Sequence, residues 1–118
     1  MNRGLYICKK NIIMAVEVLN DQSFKDKLAS SPFVAVKYYA DWCGSCRLFS
    51  PKFRRLSESE AYQNISFVDV NAEENPEARK LAGVTNLPFL AVFKDGKMVN
   101  GAATNKEEIL LDMLNELN

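Results

Sequence analysis

The spacing of hydrophobic and polar residues changes repeatedly along the chain, and each change predicts a switch between strand and helix. Short runs rich in β-branched and aromatic residues predict strands over 15–19, 33–39, 65–70 and 89–94, and 97–102 must return from a turn as a fifth strand. Residues at helical spacing predict helices between them. Their apolar faces contain Phe24, Leu28 and Ala29, then Leu48, Phe49, Phe53 and Leu56, and finally Ile109, Leu110, Met113, Leu114 and Leu117.

Capping and turn residues predict where these elements begin and end. Asn20 is the predicted N-cap of the first helix, and Asn75-Pro76 opens a third helix with a cap followed by proline in the first turn. Asp95-Gly96 is a strong hairpin signal between the last two strands. Thr104-x-x-Glu107, overlapped by Asn105-x-x-Glu108, is a capping-box pattern that predicts the start of the terminal helix.

The resulting order is strand, helix, strand, helix, strand, helix, strand, strand, helix. Strand 33–39 is apolar on both faces, which is typical of a central strand covered on each side. Helical crossovers join parallel strands and a hairpin joins antiparallel ones, so the order predicts an α/β protein, a three-layer α/β/α sandwich with a central mixed β-sheet. We assign 14–118 to this domain and 1–13 to an N-terminal extension, either a frayed arm or the product of a start codon upstream of Met14.

Composition and charge exclude several classes of function. A chain of 118 residues has room for one domain, and 47% hydrophobic with 25% charged residues is ordinary for a soluble globular protein. Because 15 basic and 15 acidic residues cancel, no charged surface is expected to recruit nucleic acid. The apolar runs are far shorter than the roughly 20 residues of a membrane helix, so we expect no membrane partner.

The chain has no histidine, and its three cysteines point to thiol chemistry. Without histidine there is no Ser-His-Asp or Cys-His hydrolase site and no His-ligated metal site. Cys8, Cys43 and Cys46 cannot form a closed disulfide framework, because one of them is left over. This usage favours a cytoplasmic, catalytic role over a secreted, structural one.

Cys43 and Cys46 are three positions apart where strand 33–39 gives way to a helix. At this spacing both thiols can face the same way and close a disulfide, which predicts a reversible dithiol. The positive end of the helix favours a thiolate, so we expect the pKa of Cys43 to lie below the free value of about 8.5. Cys43 is then the nucleophile, and the less exposed Cys46 resolves the mixed disulfide. Two buried structural cysteines, or half of a zinc site, are the alternatives.

Four short motifs occur together in the chain. They are Trp42-Cys43-Gly44-Ser45-Cys46 between strand and helix, Pro51 after it, Leu87-Pro88 before a strand, and the Lys94-Asp95-Gly96 hairpin. In this combination the sequence resembles the thioredoxin family over about 15–117. The resemblance implies the thioredoxin fold and a reductase of disulfide-containing proteins, regenerated by a thioredoxin reductase that uses NADPH. It also implies no cofactor or metal in the chain itself, and we expect a monomer.

The resemblance further implies a substrate groove beside the cysteines. Pro88 would be a cis-proline packed against the disulfide, and the backbone of Leu87 would pair with an extended substrate segment. Trp42 and Leu87 would form apolar lips around an exposed Cys43. From the residues alone, Pro88 is a proline at the start of a strand, and Trp42 is a partly buried aromatic residue.

Three of the positions that depart from the family pattern bear on the redox chemistry. Ser45 stands where proline is usual, and its hydroxyl could donate a hydrogen bond to the Cys43 thiolate, which predicts a more oxidising couple. Lys37 takes the strand position of the usual aspartate that exchanges a proton with the resolving cysteine, and Asp69 takes that of the usual lysine. A Lys37–Asp69 pair would satisfy both charges, and a neutral Lys37 could accept the Cys46 proton. The alternative is a Lys37 side chain that extends to solvent.

The residues leave two other functions open. An oxidase or isomerase, or a thioredoxin-like protein dedicated to one partner, would use the same dithiol, and a higher redox potential would distinguish it from a reductase. A redox-idle interaction scaffold would keep the fold without the chemistry.

Overall fold

The computed structural model describes residues 15–117, so the predicted extension at 1–13, Met14 and Cys8 lie outside the described residues. The elements follow the predicted order, with one added 3₁₀ turn at Glu60–Tyr62. The strands are β1 (Val16–Leu19), β2 (Phe33–Tyr39), β3 (Ser66–Asn71), β4 (Phe89–Lys94) and β5 (Lys97–Ala103). The helices are α1 (Asp21–Ser30), α2 (Gly44–Ser57), α3 (Pro76–Ala82) and α4 (Glu107–Asn115).

The strands form one mixed sheet in the order β1-β3-β2-β4-β5. β1, β3 and β2 are parallel, while β4 and β5 run antiparallel to their neighbours. The near-continuous apolar strand β2 lies in the middle, as its pattern predicts. Its register places Lys37 directly beside Asp69 of β3.

Alternating residues of the central strands point into two separate cores, one on each face of the sheet. Phe24 of α1 and Ala78 of α3 pack on one face, against Val36 and Tyr38 of β2. The other face holds α2 and α4, with Phe49, Phe53, Leu56, Leu110, Met113, Leu114 and Leu117 packed around Ala35, Phe67 and Leu90. Helices on both faces confirm the three-layer α/β/α sandwich.

Local turn chemistry is confirmed at two of the predicted ends. The Asn20 side chain accepts from the backbone N–H of Ser23, and the Ser23 hydroxyl accepts from the backbone N–H of Asn20, at 2.8 Å each. At the hairpin, Asp95 and Gly96 have φ angles of 52° and 83°, the left-handed conformation that such a turn requires.

At the two other predicted caps the expected side-chain bonds are absent, although Asn75 is the N-cap of α3 and Pro76 lies in its first turn, as predicted. Asn75 precedes α3 but makes no capping bond, because its side chain bonds to Asp21 N and Asn71 O instead. The Asp21 carboxylate replaces it, accepting from Ala78 N at 2.7 Å. The predicted capping box at Thr104 does not form: α4 starts at Glu107, and the Thr104 hydroxyl accepts from Lys106 N in the preceding turn.

Two residues assigned to apolar helix faces also lie elsewhere. Leu48 is 79% exposed, and Ala29 is exposed as well. In α2 the buried positions are Cys46, Phe49, Phe53 and Leu56. Leu48 is therefore about 100° away from the line that faces the sheet, since each residue turns the helix by that angle.

Candidate active site

The two cysteines meet where β2 ends and α2 begins. Cys43 is the N-cap of α2, and its Sγ atom accepts a hydrogen bond from Cys46 N at 3.2 Å. The Cα atoms of the pair are 5.3 Å apart, and the sulfurs are bonded to each other. The predicted pairing is thereby confirmed, and neither buried separate thiols nor half of a zinc site describes it. A reduced Cys43 at this place would lie among the unpaired N–H groups of the first helical turn, which favour an anion.

The disulfide is more enclosed than expected. Cys43 is 4% exposed and Cys46 2%, and the two pack with Ala40 against the half-buried side chains of Tyr39 and Leu87. The prediction of an exposed Cys43 is wrong for this oxidised form. Its side chain bends toward α2 to cap the helix and bond to Cys46, which removes it from solvent.

Leu87 packs against the disulfide, and Trp42 directly precedes Cys43 in the chain. Trp42 is 66% exposed, so it is not the partly buried aromatic residue of the alternative interpretation. Its indole N–H donates to the carboxylate of Glu73 at 2.7 Å, which holds the exposed ring in one orientation. The Leu87-Pro88 peptide bond is cis, as the resemblance implies, and Pro88 is buried just before β4. Their roles in substrate binding stay predictions.

Gly44 and Ser45 form the turn between the cysteines. A Cβ atom at Gly44 would meet only the Arg47 guanidinium, at 4.0 Å, so packing does not demand glycine there. The Ser45 Oγ atom lies 3.6 Å from Cys43 Sγ, within hydrogen-bonding range for sulfur. The hydroxyl is thus placed where it can donate a hydrogen bond to a Cys43 thiolate.

Lys37 lies buried on the inner side of the disulfide. It is 2% exposed, so the alternative in which it extends to solvent is wrong. Its ammonium donates to Ser50 Oγ and lies 3.6 Å from Asp69 Oδ1. The lysine cannot reach solvent because β2 is the middle strand of the sheet and α2 covers this face. The expected Lys37–Asp69 pair is therefore formed, with Ser50 as a third member that the sequence analysis missed.

Burial perturbs both partners of this pair. It lowers the pKa of Lys37, and the nearby charge of Asp69 opposes that change. It raises the pKa of Asp69, and the charge of Lys37 opposes that change in turn. The pKa of Tyr39 is also raised, first by burial and then by Asp69, Asp41 and Glu74. Each group resists the charged form because a buried charge loses its hydration.

A small polar cavity joins these groups to the resolving cysteine. Its volume is about 180 Å³, and it is lined by Lys37, Tyr39, Ala40, Asp41, Cys46, Arg47, Ser50 and Asp69. Ser50 follows Cys46 by four positions, so both lie on one side of α2. That spacing, one turn after the second cysteine, was the signal by which sequence reasoning could have found Ser50.

Neither a metal centre nor a membrane helix is found in the described part of the chain. Within residues 15–117, no three or more His, Cys, Asp or Glu side chains converge as metal ligands would. Among the same residues, none of the helices has the length and apolar character needed to cross a bilayer.

Comparison with known families agrees with this site. The family model described as Thioredoxin matches residues 15–116. The chain belongs to the thioredoxin family. With the bonded Cys43–Cys46 pair, this membership makes it a protein-disulfide oxidoreductase of that family.

Curated thioredoxins from fungi are among its relatives. Thioredoxin Asp f 29 of Aspergillus fumigatus is 41% identical over 88 residues, covering 72% of this chain and 79% of that protein. Thioredoxin-2 of Pyricularia oryzae is 41% identical over 81 residues, covering 69% of this chain but only 46% of that longer protein.

Solved thioredoxin structures share the fold. The long form of thioredoxin F from spinach chloroplast superposes with a TM-score of 0.81 at 22% identity, covering 99% of this chain and 97% of that one. A thioredoxin f2 solved with ferredoxin:thioredoxin reductase is 28% identical with a TM-score of 0.76, covering 86% of this chain and 93% of the other. The thioredoxin fold implied by the motifs is therefore confirmed.

Proposed function

We propose that the reduced form of this thioredoxin-family chain, acting as a monomer in the cytoplasm, reduces disulfides in partner proteins and is regenerated by a thioredoxin reductase that draws electrons from NADPH. One observation carries the assignment of Cys43 as the attacking thiolate. Cys43 Sγ sits at the N-terminus of α2 and accepts from Cys46 N at 3.2 Å, a place where a thiolate is stabilised.

The proposed reaction transfers two electrons in two exchanges. The Cys43 thiolate attacks one sulfur of the partner disulfide, forming a mixed disulfide and releasing the other sulfur as a thiolate. Cys46 then attacks Cys43, which forms the Cys43–Cys46 bond and releases the second partner sulfur. The partner ends as a dithiol, and the reductase restores the dithiol of this chain.

The backbone beside the cis-proline supports binding of an extended substrate segment. Among the hydrogen bonds of residues 15–117, none uses the backbone N–H or C=O of Leu87. Pro88 O is already bonded to Thr104 N at 3.1 Å, so it is the preceding residue that offers free groups. We propose that the backbone of Leu87 pairs with an extended substrate segment as an added strand would. The exposed Trp42 ring then covers the other side of that segment.

A reductase partner is supported by one related structure. The thioredoxin f2 with 28% identity was solved in complex with ferredoxin:thioredoxin reductase. We carry over the class of partner, a thioredoxin reductase, and propose NADPH as the electron source on the family resemblance.

The test is reduction of insulin coupled to NADPH oxidation by a thioredoxin reductase. We expect turnover by the full chain, loss of about a hundredfold or more in Cys43→Ser because its hydroxyl is a far weaker nucleophile, and little change in the matched Cys8→Ser control. Equal rates in Cys43→Ser and the full chain would refute the function. Insulin reduction by the chemically reduced chain, with none when NADPH and reductase are supplied, would refute only the electron source. Sedimentation velocity tests whether the chain is a monomer.

An oxidase or isomerase is the second candidate. It is favoured by the Ser45 hydroxyl 3.6 Å from Cys43 Sγ, since a donor there stabilises the reduced form. A glutathione equilibrium distinguishes the two candidates. A potential well above thioredoxin's roughly −270 mV would support oxidation or shuffling of disulfides, and one near it supports the reductase.

A further inference from the structure

A buried lysine lies on the inner side of Cys46, and the exchange steps above make no use of it. The Lys37 Nζ atom contacts the Ser50 hydroxyl, lies 3.6 Å from Asp69 Oδ1, and stands 5.6 Å from the centre of the Phe53 ring, over its face. A hydroxyl oxygen, a carboxylate and an aromatic face all attract a cation. Together they oppose the effect of burial and favour the ammonium form.

Ser50 connects this ammonium to the helical turn that carries Cys46. Its hydroxyl donates to the backbone C=O of Cys46 at 3.1 Å and accepts from Lys37 Nζ. Asp69 holds the ammonium less closely, because its Oδ1 atom lies 3.6 Å from Lys37 Nζ. That oxygen is buried and has no hydrogen-bond partner within residues 15–117. The Lys37 ammonium is therefore drawn toward α2 rather than toward β3.

Lys37 and Cys46 border the same cavity of about 180 Å³. The other ionisable groups around that cavity are Tyr39 of β2, Asp69 of β3, Asp41 in the connecting turn and Arg47 of α2. Arg47 donates to the backbone C=O of Asp41 at 2.6 Å and is exposed, as Asp41 is, so both lie where the cavity meets solvent. Lys37 is thus the buried cation of the set, and hydration screens it least.

We propose that Ser50 is a positioning residue that holds the Lys37 ammonium near Cys46, where its charge favours the thiolate form of Cys46 in the resolving step. The inference rests on the proposed function and specifies how its second exchange is driven. Cys46 loses its proton to water at the cavity mouth, and its thiolate attacks Cys43. The Cys43–partner bond breaks as the Cys43–Cys46 bond forms, and the partner sulfur leaves as a thiolate that takes a proton from water.

The experiment measures the ionisation of Cys46 directly in the reduced chain. In a Cys8→Ser background, NMR of labelled cysteine Cβ carbons follows Cys43 and Cys46 separately as pH is raised. We expect Lys37→Met to move the Cys46 midpoint up by about one pH unit or more, because an opposite charge nearby is lost. Ser50→Ala is expected to raise the Cys46 midpoint by a smaller amount. Ser50→Thr keeps the hydroxyl, so its Cys46 midpoint should lie close to that of the parent chain.

Ser57→Ala is the matched control. Ser57 is also in α2, and its hydroxyl bonds to the backbone C=O of Arg54, but it is remote from Lys37 in the sequence and does not line the cavity. A Cys46 midpoint in Ser50→Ala equal to that in Ser57→Ala overturns the proposal, and so does a Lys37→Met midpoint that is unchanged or lower. If Lys37→Met does not fold, the Ser50→Ala result alone decides.

This titration needs no substrate, so the two proposals can fail separately. A chain that never reduces insulin would refute the proposed function while the ionisation data still stand. A chain that reduces insulin with no response of Cys46 to Ser50→Ala would refute the positioning role only.

Discussion

The outer side of the disulfide is an apolar, partly exposed surface, whereas its inner side borders a polar cavity. On the outer side, Cys43 is flanked by the exposed Trp42 ring and the half-buried Leu87, and its chemistry depends on backbone N–H groups at the start of α2. On the inner side, Cys46 borders a polar cavity in which Lys37 is buried and Asp69 is partly buried. One sulfur lies beside the surface proposed to bind a partner protein, and the other lies beside the charged side chains of the cavity.

The contrast teaches that the two exchanges are controlled by different physics. In the proposed reaction, recognition and attack at Cys43 would rely on an apolar contact and on fixed backbone dipoles, which any sequence with this turn provides. Resolution at Cys46 would depend on side-chain charges inside the protein, where a single substitution changes the field strongly because little water screens it. Changes on the inner side should therefore alter stability and pH response, whereas changes on the outer side should alter substrate binding.

The largest expected effect comes from removing the inner cation. Lys37→Met leaves the partly buried Asp69 carboxylate without its partner, and we expect the free energy of unfolding at neutral pH to fall by about 3 kcal/mol in urea denaturation. The pKa of Asp69 is already raised by burial, and losing Lys37 raises it further. A carboxyl whose pKa is higher in the folded state takes up protons on folding. The deficit should therefore shrink as pH falls through that pKa and grow as pH rises.

The double variant Lys37→Met, Asp69→Leu is the control for this prediction. It removes both charges together, so it should recover most of the lost stability and show little pH dependence. A Lys37→Met chain as stable as the parent at neutral pH would show that the inner side is not governed by its charges.

A smaller effect is expected on the outer side, at Trp42. Trp42→Ala should raise the KM for insulin about fivefold, equivalent to about 1 kcal/mol of binding, because the exposed ring supplies apolar contact to a partner. The unfolding free energy should change by less than about 0.5 kcal/mol, since the ring is 66% exposed. Val18→Ala, at an exposed position on the edge strand β1, is the control and should leave KM unaltered. Equal KM values in both variants would remove Trp42 from the proposed groove.

The smallest effect is expected between the two sides, at Ser45. Ser45→Pro removes the hydroxyl 3.6 Å from Cys43 Sγ and should make the potential more negative by about 10–20 mV, the equivalent of roughly 0.5–1 kcal/mol for one hydrogen bond. Ser45→Ala isolates the hydroxyl from the stiffness of the proline ring. A glutathione equilibrium measures both variants, and a potential that does not move in either of them would exclude the hydroxyl as a determinant.

Much of the fold could be predicted because its signals are local. The bounds of β2, the start of α3, the Asn20 cap and the Asp95-Gly96 turn each depend on residues within a few positions of one another. The side-chain bond that caps α3 could not be predicted in the same way. Asp21 supplies it from 57 positions before Ala78, so the bond exists only once α1 and α3 are packed together.

The contacts of the candidate site also divide into local ones and ones between distant segments. Cys43, Ser45 and Cys46 lie within one turn of the chain, so their spacing along the sequence predicts the contacts between them. The contact of Lys37 with Ser50 joins β2 to α2 across 13 positions and depends on how that helix crosses the sheet. Sequence pattern identified Lys37 as unusual but left its side chain free to turn to solvent.

By itself, the order of residues determined the alternation of elements, the thiols and their place at a helix start, because backbone geometry over a few residues settles each of these. Only the tertiary structure decided that Lys37 is enclosed, that Ser50 ties it to the turn of Cys46, and that Cys43 is shielded when oxidised. The reason is that burial and charge contact depend on distances between segments far apart in the chain. Those distances exist only after the sheet and its two layers of helices have packed.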